Sequence, residues 1–190
     1  AHKKPQPAYV YASSSSVYGL NKKIPFSELH AIDHPANLYG TSKFGNEQIA
    51  AAYHNIHGLK SVGLRFFTVY GPWGRPDMAV SLFTNKIENG ETITLFNGGE
   101  MWRDFTFVDD IVQGIELSME YCSDNAAVFN LGNSKPVKLG YFLDQLSIKV
   151  SALTPTHTRT HTLTHTSLTL THSHSLTHSL AHSLTHTTSI

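Results

Sequence analysis

The sequence predicts an α/β fold built around a parallel sheet and followed by a low-complexity tail. Two short apolar runs of β-favouring residues, Ala8–Ala12 and Ser61–Phe67, flank a stretch of helical character that ends at Gly58. Such a strand–helix–strand unit pairs its strands in parallel through a right-handed crossover. Residues 1–150 mix apolar, charged and aromatic residues as globular domains do, whereas residues 151–190 are nearly all Thr, Ser, His and Leu. We therefore predict a folded domain over residues 1–150 and a disordered tail over residues 151–190.

Composition excludes several classes of protein. The 190 residues carry 14 Lys and Arg against 14 Asp and Glu, so no general attraction to nucleic acid or to an anionic membrane is indicated. The single cysteine, Cys122, excludes an internal disulfide and is expected to be a small buried residue in a helix. No apolar run approaches the ~18 residues of a membrane span, and the first residues do not form a signal peptide. Because the chain lacks an initiator methionine and begins just before a strand, we expect it to be the interior of a longer protein.

In the first half of the chain, a loop and a helix follow the first strand. Asn21–Asn37 is polar and contains two prolines, which predicts a loop. Asn37 or Thr41 is expected to cap the helix that follows, which runs to about His57 and is stopped by Gly58.

In the second half, turn residues separate short periodic segments. The sequence predicts, in order, a loop over Thr68–Met78, a helix over Ala79–Asn89 capped by Gly90, a strand over Thr92–Phe96, a tight turn at Asn97–Gly99, a strand over Arg103–Asp109, a helix from Asp109 or Asp110 to about Tyr121, a strand over Val128–Leu131 and a helix beginning at Leu139.

A tyrosine and a lysine stand four residues apart in Tyr39-Gly-Thr-Ser-Lys43, at the predicted start of the first helix. Residues at i and i+4 share one helix face, so the phenol and the ammonium group are expected to act on the same point in space. A lysine charge close to a phenol favours the phenolate and lowers its pKa towards the range of a general base. Taken alone, the pair also fits a packing tyrosine beside a surface lysine.

Four consecutive serines, Ser13–Ser16, directly follow the first predicted strand. Ligands of open α/β sheets bind at the carboxyl ends of the strands, so these hydroxyl groups are expected at the ligand-binding edge. A hydroxyl group that both donates and accepts hydrogen bonds can follow a substrate oxygen from alcohol to ketone. The alternative is a flexible polar loop. The strand, the serine run and the Tyr/Lys helix together indicate a catalytic arrangement.

Two segments carry a resemblance to a known family: Ala12-Ser-Ser-Ser-Ser-Val-Tyr-Gly19 and Leu64-Arg-Phe-Phe-Thr-Val-Tyr-Gly-Pro-Trp-Gly-Arg-Pro-Asp-Met-Ala79. They resemble the NAD-dependent epimerase/dehydratase family of extended short-chain dehydrogenases/reductases, and within it most closely the UDP-glucuronate 4-epimerases. The resemblance covers roughly Tyr9 to Leu146. It implies the C-terminal part of a Rossmann-like parallel sheet, plus part of a small substrate-binding domain.

The resemblance also implies roles for individual residues. Tyr39 would take the proton from the sugar C4 hydroxyl, and Ser14 would hydrogen-bond the C4 oxygen. Lys43 would hold the nicotinamide ribose, so Tyr39, Lys43 and Phe66 are the expected NAD contacts. The implied reaction is oxidation to a 4-keto sugar, rotation of that intermediate, and return of the hydride to the opposite face.

Ser15 and Ser16, together with Ser14, are expected to contact the substrate and indicate the reaction subtype. Dehydratases that the chain resembles carry Asp-Glu at the positions of Ser15 and Ser16, and UDP-glucuronate decarboxylases carry Glu at the second. Two serines leave no carboxylic acid for elimination, which favours epimerisation.

The segment after the second strand is expected to set substrate specificity. A small hydroxyl at Thr68 would suit a sugar carboxylate, and the resemblance assigns Arg75 to the nucleotide sugar and Arg103 to the diphosphate or uridine ribose. Arg75 could equally be a surface arginine. Asp104 could hold Arg103 in position or be a paired surface charge. Two tryptophans are expected to wall the base pocket or to pack in the core: Trp73 and Trp102.

The usual dinucleotide-binding signature does not occur in this sequence. No GxxGxxG follows a strand, and no acidic residue can be assigned to the adenosine ribose. We therefore expect the 190-residue chain by itself to bind NAD poorly and to have negligible activity. Two other functions stay open, namely another UDP-sugar epimerase such as UDP-glucose 4-epimerase, and a non-catalytic NAD-binding scaffold.

The tail repeats a four-residue unit and holds eight of the 13 histidines, with Arg159 as its one charged residue apart from histidine. We interpret it as a disordered repeat that a frame change or gene-model error would explain, and we predict no metal site. The alternative is a His-rich module that binds Zn or Cu. The expected partner is a UDP-sugar, with no nucleic acid and no membrane segment. The resemblance also allows a homodimer through the Tyr/Lys helix, and either a cytoplasmic or a Golgi-associated location.

Overall fold

The computed structural model describes residues 9–121, 126–153, 162–164 and 167–169. They divide into two compact units. The first unit runs to Val69 and includes Val108–Gly132, and the second comprises Tyr70–Phe107 and the residues from Asn133 onward. Cys122 lies outside the described residues, so the prediction made for it stays a prediction.

Helices alternate with short strands along the chain. The elements are β1 (Tyr9–Ser14), α1 (Leu38–His57), β2 (Ser61–Phe66), β3 (Thr68–Tyr70), α2 (Ala79–Glu88), β4 (Ile93–Thr94), β5 (Trp102–Arg103), β6 (Phe105–Phe107), α3 (Val108–Glu120), β7 (Ala126–Leu131), β8 (Val137–Lys138), α4 (Leu139–Leu153), β9 (Thr162–Thr164) and β10 (Ser167–Thr169). A 3-10 turn, Ser15–Tyr18, follows β1. A tight turn over Phe96–Gly99, in which Asn97 and Gly98 have positive φ, follows β4.

The first unit is built on a parallel sheet in the order β1-β2-β7, which confirms the predicted α/β class. Ser14 lies opposite Phe66 in the register of β1 and β2, and Phe66 lies opposite Leu131 in the register of β2 and β7. The carboxyl ends of all three strands therefore coincide at one edge. In open α/β sheets this is the edge at which ligands bind.

Helix α1 begins and ends where the sequence predicts. Of the two candidate caps, Asn37 is the N-cap, and its side chain accepts a hydrogen bond from the amide of Gly40. Gly58 ends the helix in the left-handed conformation, with φ of 67°. Glycine reaches that conformation without the penalty that a Cβ imposes.

The second unit has its own apolar core between α2, β4 and α4. It consists of Phe83, Ile87, Ile93, Leu143, Leu146 and Val150. Strand β4 pairs antiparallel with β10, and β10 pairs antiparallel with β9, so two short segments of the tail are strands. Helix α4 continues to Leu153, three residues past the predicted end of the domain, and the rest of the tail lies outside the described residues.

Several predicted boundaries differ from the structure. β1 extends through Ser14, so the first two serines belong to the strand. The predicted strand over Arg103–Asp109 is divided at Asp104, whose carboxylate accepts hydrogen bonds from the amides of Asn133 and Ser134. Two short strands were not predicted: β3 lies within the predicted loop over Thr68–Met78, and β8 pairs antiparallel with β5. Local periodicity carries no information on such contacts between distant residues.

Of the caps predicted for helices α2 and α3, one is wrong and one is confirmed. Helix α3 begins at Val108, so Asp109 and Asp110 lie in its first turn, where carboxylates favour the positive end of the helix dipole. Helix α2 ends as predicted: after the C-cap Asn89, Gly90 adopts the left-handed conformation with φ of 68°. The amides of Gly90 and Glu91 donate to the carbonyl oxygens of Ile87 and Lys86, so Gly90 closes the last turn.

Candidate active site

The serine run forms the end of β1 and the 3-10 turn that follows it. Ser14 is the N-cap of this turn, and its Oγ accepts a hydrogen bond from the amide of Ser16 at 3.2 Å. Ser13 and Ser14 are buried, whereas Ser15 and Ser16 are partly exposed. Because Ser14 lies at the carboxyl end of β1, its hydroxyl group belongs to the ligand-binding edge of the sheet.

The start of α1 lies against this serine turn. A Cβ placed on Gly40 would come within 2.5 Å of the carbonyl oxygen of Ser16, so only a glycine permits the observed approach. Tyr39 immediately precedes this contact, and its side chain is 55% exposed. The tyrosine therefore lies next to the serine turn and is not buried in hydrocarbon.

Lys43 connects the helix to the strand. Its Nζ donates a hydrogen bond to the carbonyl oxygen of Ala12 at 3.1 Å, and it lies 5.7 Å from the centroid of the Tyr39 ring. The four-residue spacing thus brings the two side chains together on one helix face, as predicted. The structure gathers Ser14, Tyr39 and Lys43 around the carboxyl end of β1, although the chemical roles of these residues stay predictions.

A buried polar cluster lies in the same unit. Its members are the buried residues Ser13, Tyr18, Glu47 and Arg65 and the partly buried Asn130. Arg65 donates from Nε and Nη2 to the two carboxylate oxygens of Glu47 at 2.9 and 2.7 Å. Ser13 Oγ donates to Glu47 Oε1 at 2.5 Å. Arg65 Nη1 donates to Tyr18 Oη at 2.9 Å, and Tyr18 Oη donates to Asn130 Oδ1 at 2.7 Å.

Burial and hydrogen bonding shift the pKa of Arg65 in this cluster and of Tyr11 beside it. Burial works to lower the pKa of the Arg65 guanidinium, but its hydrogen bonds to Glu47 and Tyr18 outweigh burial and raise that pKa. Burial, reinforced by the charge of Glu47, raises the pKa of the nearby Tyr11 phenol to about 12. This cluster was not predicted from the sequence. Its signal was a charged residue, Arg65, inside an apolar strand.

The remaining predicted residues of the first unit lie near the carboxyl end of β2. Phe66 is the last residue of β2, directly opposite Ser14 in the register, and it is partly buried. Thr68 follows as the first residue of β3 and is also partly buried. Both therefore come from the chain segment that leaves the ligand-binding edge.

Arg75 and Arg103 belong to the second unit, and both are exposed. Arg75 donates from Nε and Nη2 to the carboxylate of Asp77, and these hydrogen bonds lower the pKa of that carboxyl group. Arg103 donates to the carbonyl oxygen of Trp102 at 2.9 Å. Asp104 binds backbone amides instead of Arg103, so the idea that it positions Arg103 is wrong. The tryptophans pack in no core: Trp73 is fully exposed and Trp102 is 62% exposed.

Two further features bear on the kind of site. In the described part of the chain no helix combines the length and the apolar character that a membrane crossing needs. The same residues contain no group of three or more His, Cys, Asp or Glu side chains placed to hold a metal ion. Most of the histidine-rich tail lies outside these residues.

A parallel sheet with a serine at the carboxyl end of one strand, beside a helix bearing Tyr-x-x-x-Lys, defines the class of the extended short-chain dehydrogenases/reductases. Within this class, the chain belongs to the NAD dependent epimerase/dehydratase family, whose family model matches residues 1–132.

Proteins and solved structures similar to this chain support the family assignment. The chain is 51% identical over 148 residues to UDP-glucuronate 4-epimerase 4 of Arabidopsis thaliana, covering 70% of this chain and 34% of that protein. Among solved structures it is similar to UDP-glucuronic acid 4-epimerase of Bacillus cereus in complex with UDP-glucuronic acid and NAD, with a TM-score of 0.69 and 31% identity over 76% of this chain and 46% of that one. It is also similar to UDP-glucose 4-epimerase of Thermotoga maritima with UDP-glucose, with a TM-score of 0.70 and 31% identity over 76% of this chain and 47% of that one. The chain thus spans about a third of that curated relative and just under half of those solved structures.

Proposed function

We propose that this chain carries the catalytic residues of a nucleotide-sugar 4-epimerase that interconverts UDP-glucuronate and UDP-galacturonate. The main support is the convergence of Ser14, Tyr39 and Lys43 at the carboxyl end of β1, in a chain that is 51% identical to a UDP-glucuronate 4-epimerase. Ser15 and Ser16 support epimerisation over elimination, because neither side chain can act as a carboxylic acid.

The residues at this edge fit NAD. Lys43 holds a positive charge beside the end of β1, where it can donate to ribose hydroxyl groups, and Phe66 offers an apolar surface one strand away. Tyr39, Lys43 and Phe66 would therefore hold the nicotinamide end of the cofactor. When bound, NAD supplies the acceptor for the C4 hydride and returns that hydride later.

The protein groups manage the proton and the charge. Tyr39 Oη takes the proton of the sugar C4 hydroxyl during oxidation and gives it back after the ketone has turned. Ser14 Oγ hydrogen-bonds the C4 oxygen throughout, as donor or as acceptor. The hydroxyl groups of Thr68, Ser15 and Ser16 donate to the sugar carboxylate and exchange hydrogen bonds with the sugar hydroxyl groups. Arg75 and Arg103 bind the charged groups of the nucleotide sugar. A closed site is needed because the 4-keto sugar must be retained while it rotates.

The second candidate is UDP-glucose 4-epimerase activity. The similarity to the Thermotoga maritima enzyme with UDP-glucose favours it. The two activities differ in whether C6 of the sugar is a carboxylate, so Thr68 and Arg75 are the residues that would discriminate. Replacing Arg75 by Gln should weaken use of UDP-glucuronate more than use of UDP-glucose if the carboxylate is recognised.

The test has two arms. The first incubates the 190-residue chain with NAD and UDP-glucuronate and follows UDP-galacturonate by chromatography. We expect little turnover here, because the sequence has no glycine-rich dinucleotide loop. The second uses a chimera in which residues 9–132 replace the aligned segment of the Arabidopsis relative, and here we expect epimerisation that Tyr39→Phe and Ser14→Ala abolish. A folded chimera without epimerase activity, or one indifferent to both substitutions, would contradict the proposal.

The homodimer is part of the same proposal. Helix α1 exposes apolar side chains at Ile49, Tyr53 and Ile56, three and four residues apart on one face. A second copy of the helix is the occupant that we propose. Sedimentation of the intact chain and of Ile56→Glu should show a dimer that the substitution dissociates, whereas a monomeric parent chain would refute this arrangement.

A further inference from the structure

The buried polar cluster joins the helix that carries Tyr39 to the strand that carries Ser14. Tyr39, Lys43 and Glu47 are spaced by four residues and so share one face of α1. Lys43 bonds the Ala12 carbonyl, and Glu47 accepts from the hydroxyl group of Ser13, the next residue of β1. Two successive turns of the helix therefore bond two successive residues of the strand, immediately before Ser14.

The same cluster holds the far end of the serine turn. Arg65, on the neighbouring strand β2, bonds Glu47 with two nitrogens and Tyr18 with the third. Tyr18 ends the 3-10 turn, and its hydroxyl group donates to Asn130 of β7. The turn is thus held near its beginning through Ser13 and at its end through Tyr18. Between these points lies the bond from the Ser16 amide to Ser14 Oγ.

Stability alone does not account for this arrangement. A buried ion pair loses the hydration of both charges, and apolar residues of similar volume often stabilise a core as well or better. A guanidinium–carboxylate pair with two parallel hydrogen bonds adds a defined orientation, because it holds two secondary-structure elements at a fixed distance and angle. The side chains of Glu47 and Arg65 are 5% and 4% exposed, so solvent does not compete for these bonds.

The geometry points to Ser13, Glu47 and Arg65 as positioning residues that hold the hydroxyl groups of Ser14 and Tyr39 in their mutual arrangement. They act through other residues and are not themselves contacts of the substrate. The inference rests on the proposed function only for the roles of Ser14 and Tyr39. The positioning itself can be measured without catalysis.

The sharpest test removes one hydroxyl group and compares two matched sites. Ser13→Ala deletes the 2.5 Å bond to Glu47, while Ser118→Ala deletes a bond of 2.6 Å, from a buried serine to the carbonyl oxygen of Gly114 in α3. Both variants of the full chain are labelled with 15N and with 13C in the tyrosine rings. Amide exchange at Ser16 and the ring signal of Tyr39 are then recorded, together with amide exchange in β2 as a measure of general stability.

We expect exchange at the Ser16 amide to accelerate about tenfold in Ser13→Ala, as loss of one hydrogen bond to a charged group allows, and the Tyr39 ring signal to shift. In Ser118→Ala, the exchange rate of the Ser16 amide and the ring signal of Tyr39 should both match those of the parent chain. Unchanged Ser16 exchange in Ser13→Ala, or equal changes in both variants, would overturn the positioning role.

A second variant tests the ion pair itself. Glu47→Leu combined with Arg65→Met keeps the volume apolar and is expected to fold, yet to accelerate Ser16 exchange as Ser13→Ala does. If this double variant keeps both the fold and the parent exchange rate at Ser16, the inference is wrong. Titrating the parent chain with UDP-glucuronate and NAD addresses the proposed function separately, because absence of binding there leaves the Ser16 comparison unaffected.

Discussion

Two arginine–carboxylate pairs of this chain have nearly the same geometry and opposite surroundings. In the first unit Arg65 reaches Glu47 with Nε at 2.9 Å and Nη2 at 2.7 Å, and the two side chains are 4% and 5% exposed. In the second unit Arg75 reaches Asp77 with Nε at 3.0 Å and Nη2 at 2.5 Å, and these side chains are 74% and 61% exposed. Burial, and not hydrogen-bond geometry, separates the pairs.

The difference indicates two uses for one interaction. The buried pair has lost its hydration and cannot open without leaving a charge in the interior, so it holds elements in place. The exposed pair is screened by water and opens at little cost, as the proposed binding of a ligand carboxylate or phosphate by Arg75 requires. The proposed catalytic residues belong to the unit with the buried pair, and the proposed specificity arginines belong to the other.

The largest effect is expected from removing one partner of the buried pair. Arg65→Met leaves Glu47 as an unpaired buried carboxylate and should lower the free energy of unfolding by about 3–5 kcal/mol. Urea unfolding followed by circular dichroism measures it. The double variant Glu47→Leu with Arg65→Met should recover most of the loss, and failure to recover it would mean that the cluster is needed for stability as such.

The next effect concerns the contact between α1 and the serine turn. Gly40→Ala would press a methyl group against the Ser16 carbonyl and should destabilise by about 1–3 kcal/mol. Gly45→Ala is the matched control in the same helix, because a Cβ there meets nothing within 4 Å. This control should stabilise by up to about 1 kcal/mol through helix propensity. Equal effects of the two substitutions on urea unfolding would show that the close approach is absent in solution.

Alkaline pH tests the electrostatics of the buried cluster. Because burial and Glu47 raise the pKa of Tyr11 to about 12, the neutral phenol is favoured in the folded chain. Its contribution is complete below the ordinary tyrosine pKa of about 10 and is lost as the pH rises through the folded value. The parent chain should therefore lose stability more steeply than Tyr11→Phe between these pH values. An equal loss of stability in the parent chain and in Tyr11→Phe over this pH range would contradict the raised pKa of Tyr11.

The smallest effect is expected at the exposed pair. Since Arg75 lowers the pKa of Asp77, the pair contributes stability above the ordinary carboxyl pKa and loses it as the pH falls through the lowered value. Asp77→Asn should therefore change Tm only slightly at neutral pH, and added salt should reduce the change further. A large, salt-insensitive drop in Tm would place Asp77 in the structural framework instead.

Local sequence signals predicted much of the first unit. Asn37 and Gly58 mark the ends of α1 because a cap bonds amides or carbonyls within one helical turn. The cap predicted at Asp109 or Asp110 is wrong because more than one residue there can satisfy the helix end, and the neighbouring chain decides between them. The strand over Arg103–Asp109 failed because Asp104 bonds amides 29 and 30 residues away.

The sequence by itself determined the α/β class, the family, and the residue types at the carboxyl end of β1, because periodicity, caps and motif spacing act over a few residues. Only the tertiary structure decided which side chains support that edge. Arg65 finds Glu47 at a separation of 18 residues, and Tyr18 finds Asn130 at a separation of 112. Such pairs form because buried charges and hydroxyl groups must find partners once packing has excluded water, and packing is a property of the whole fold.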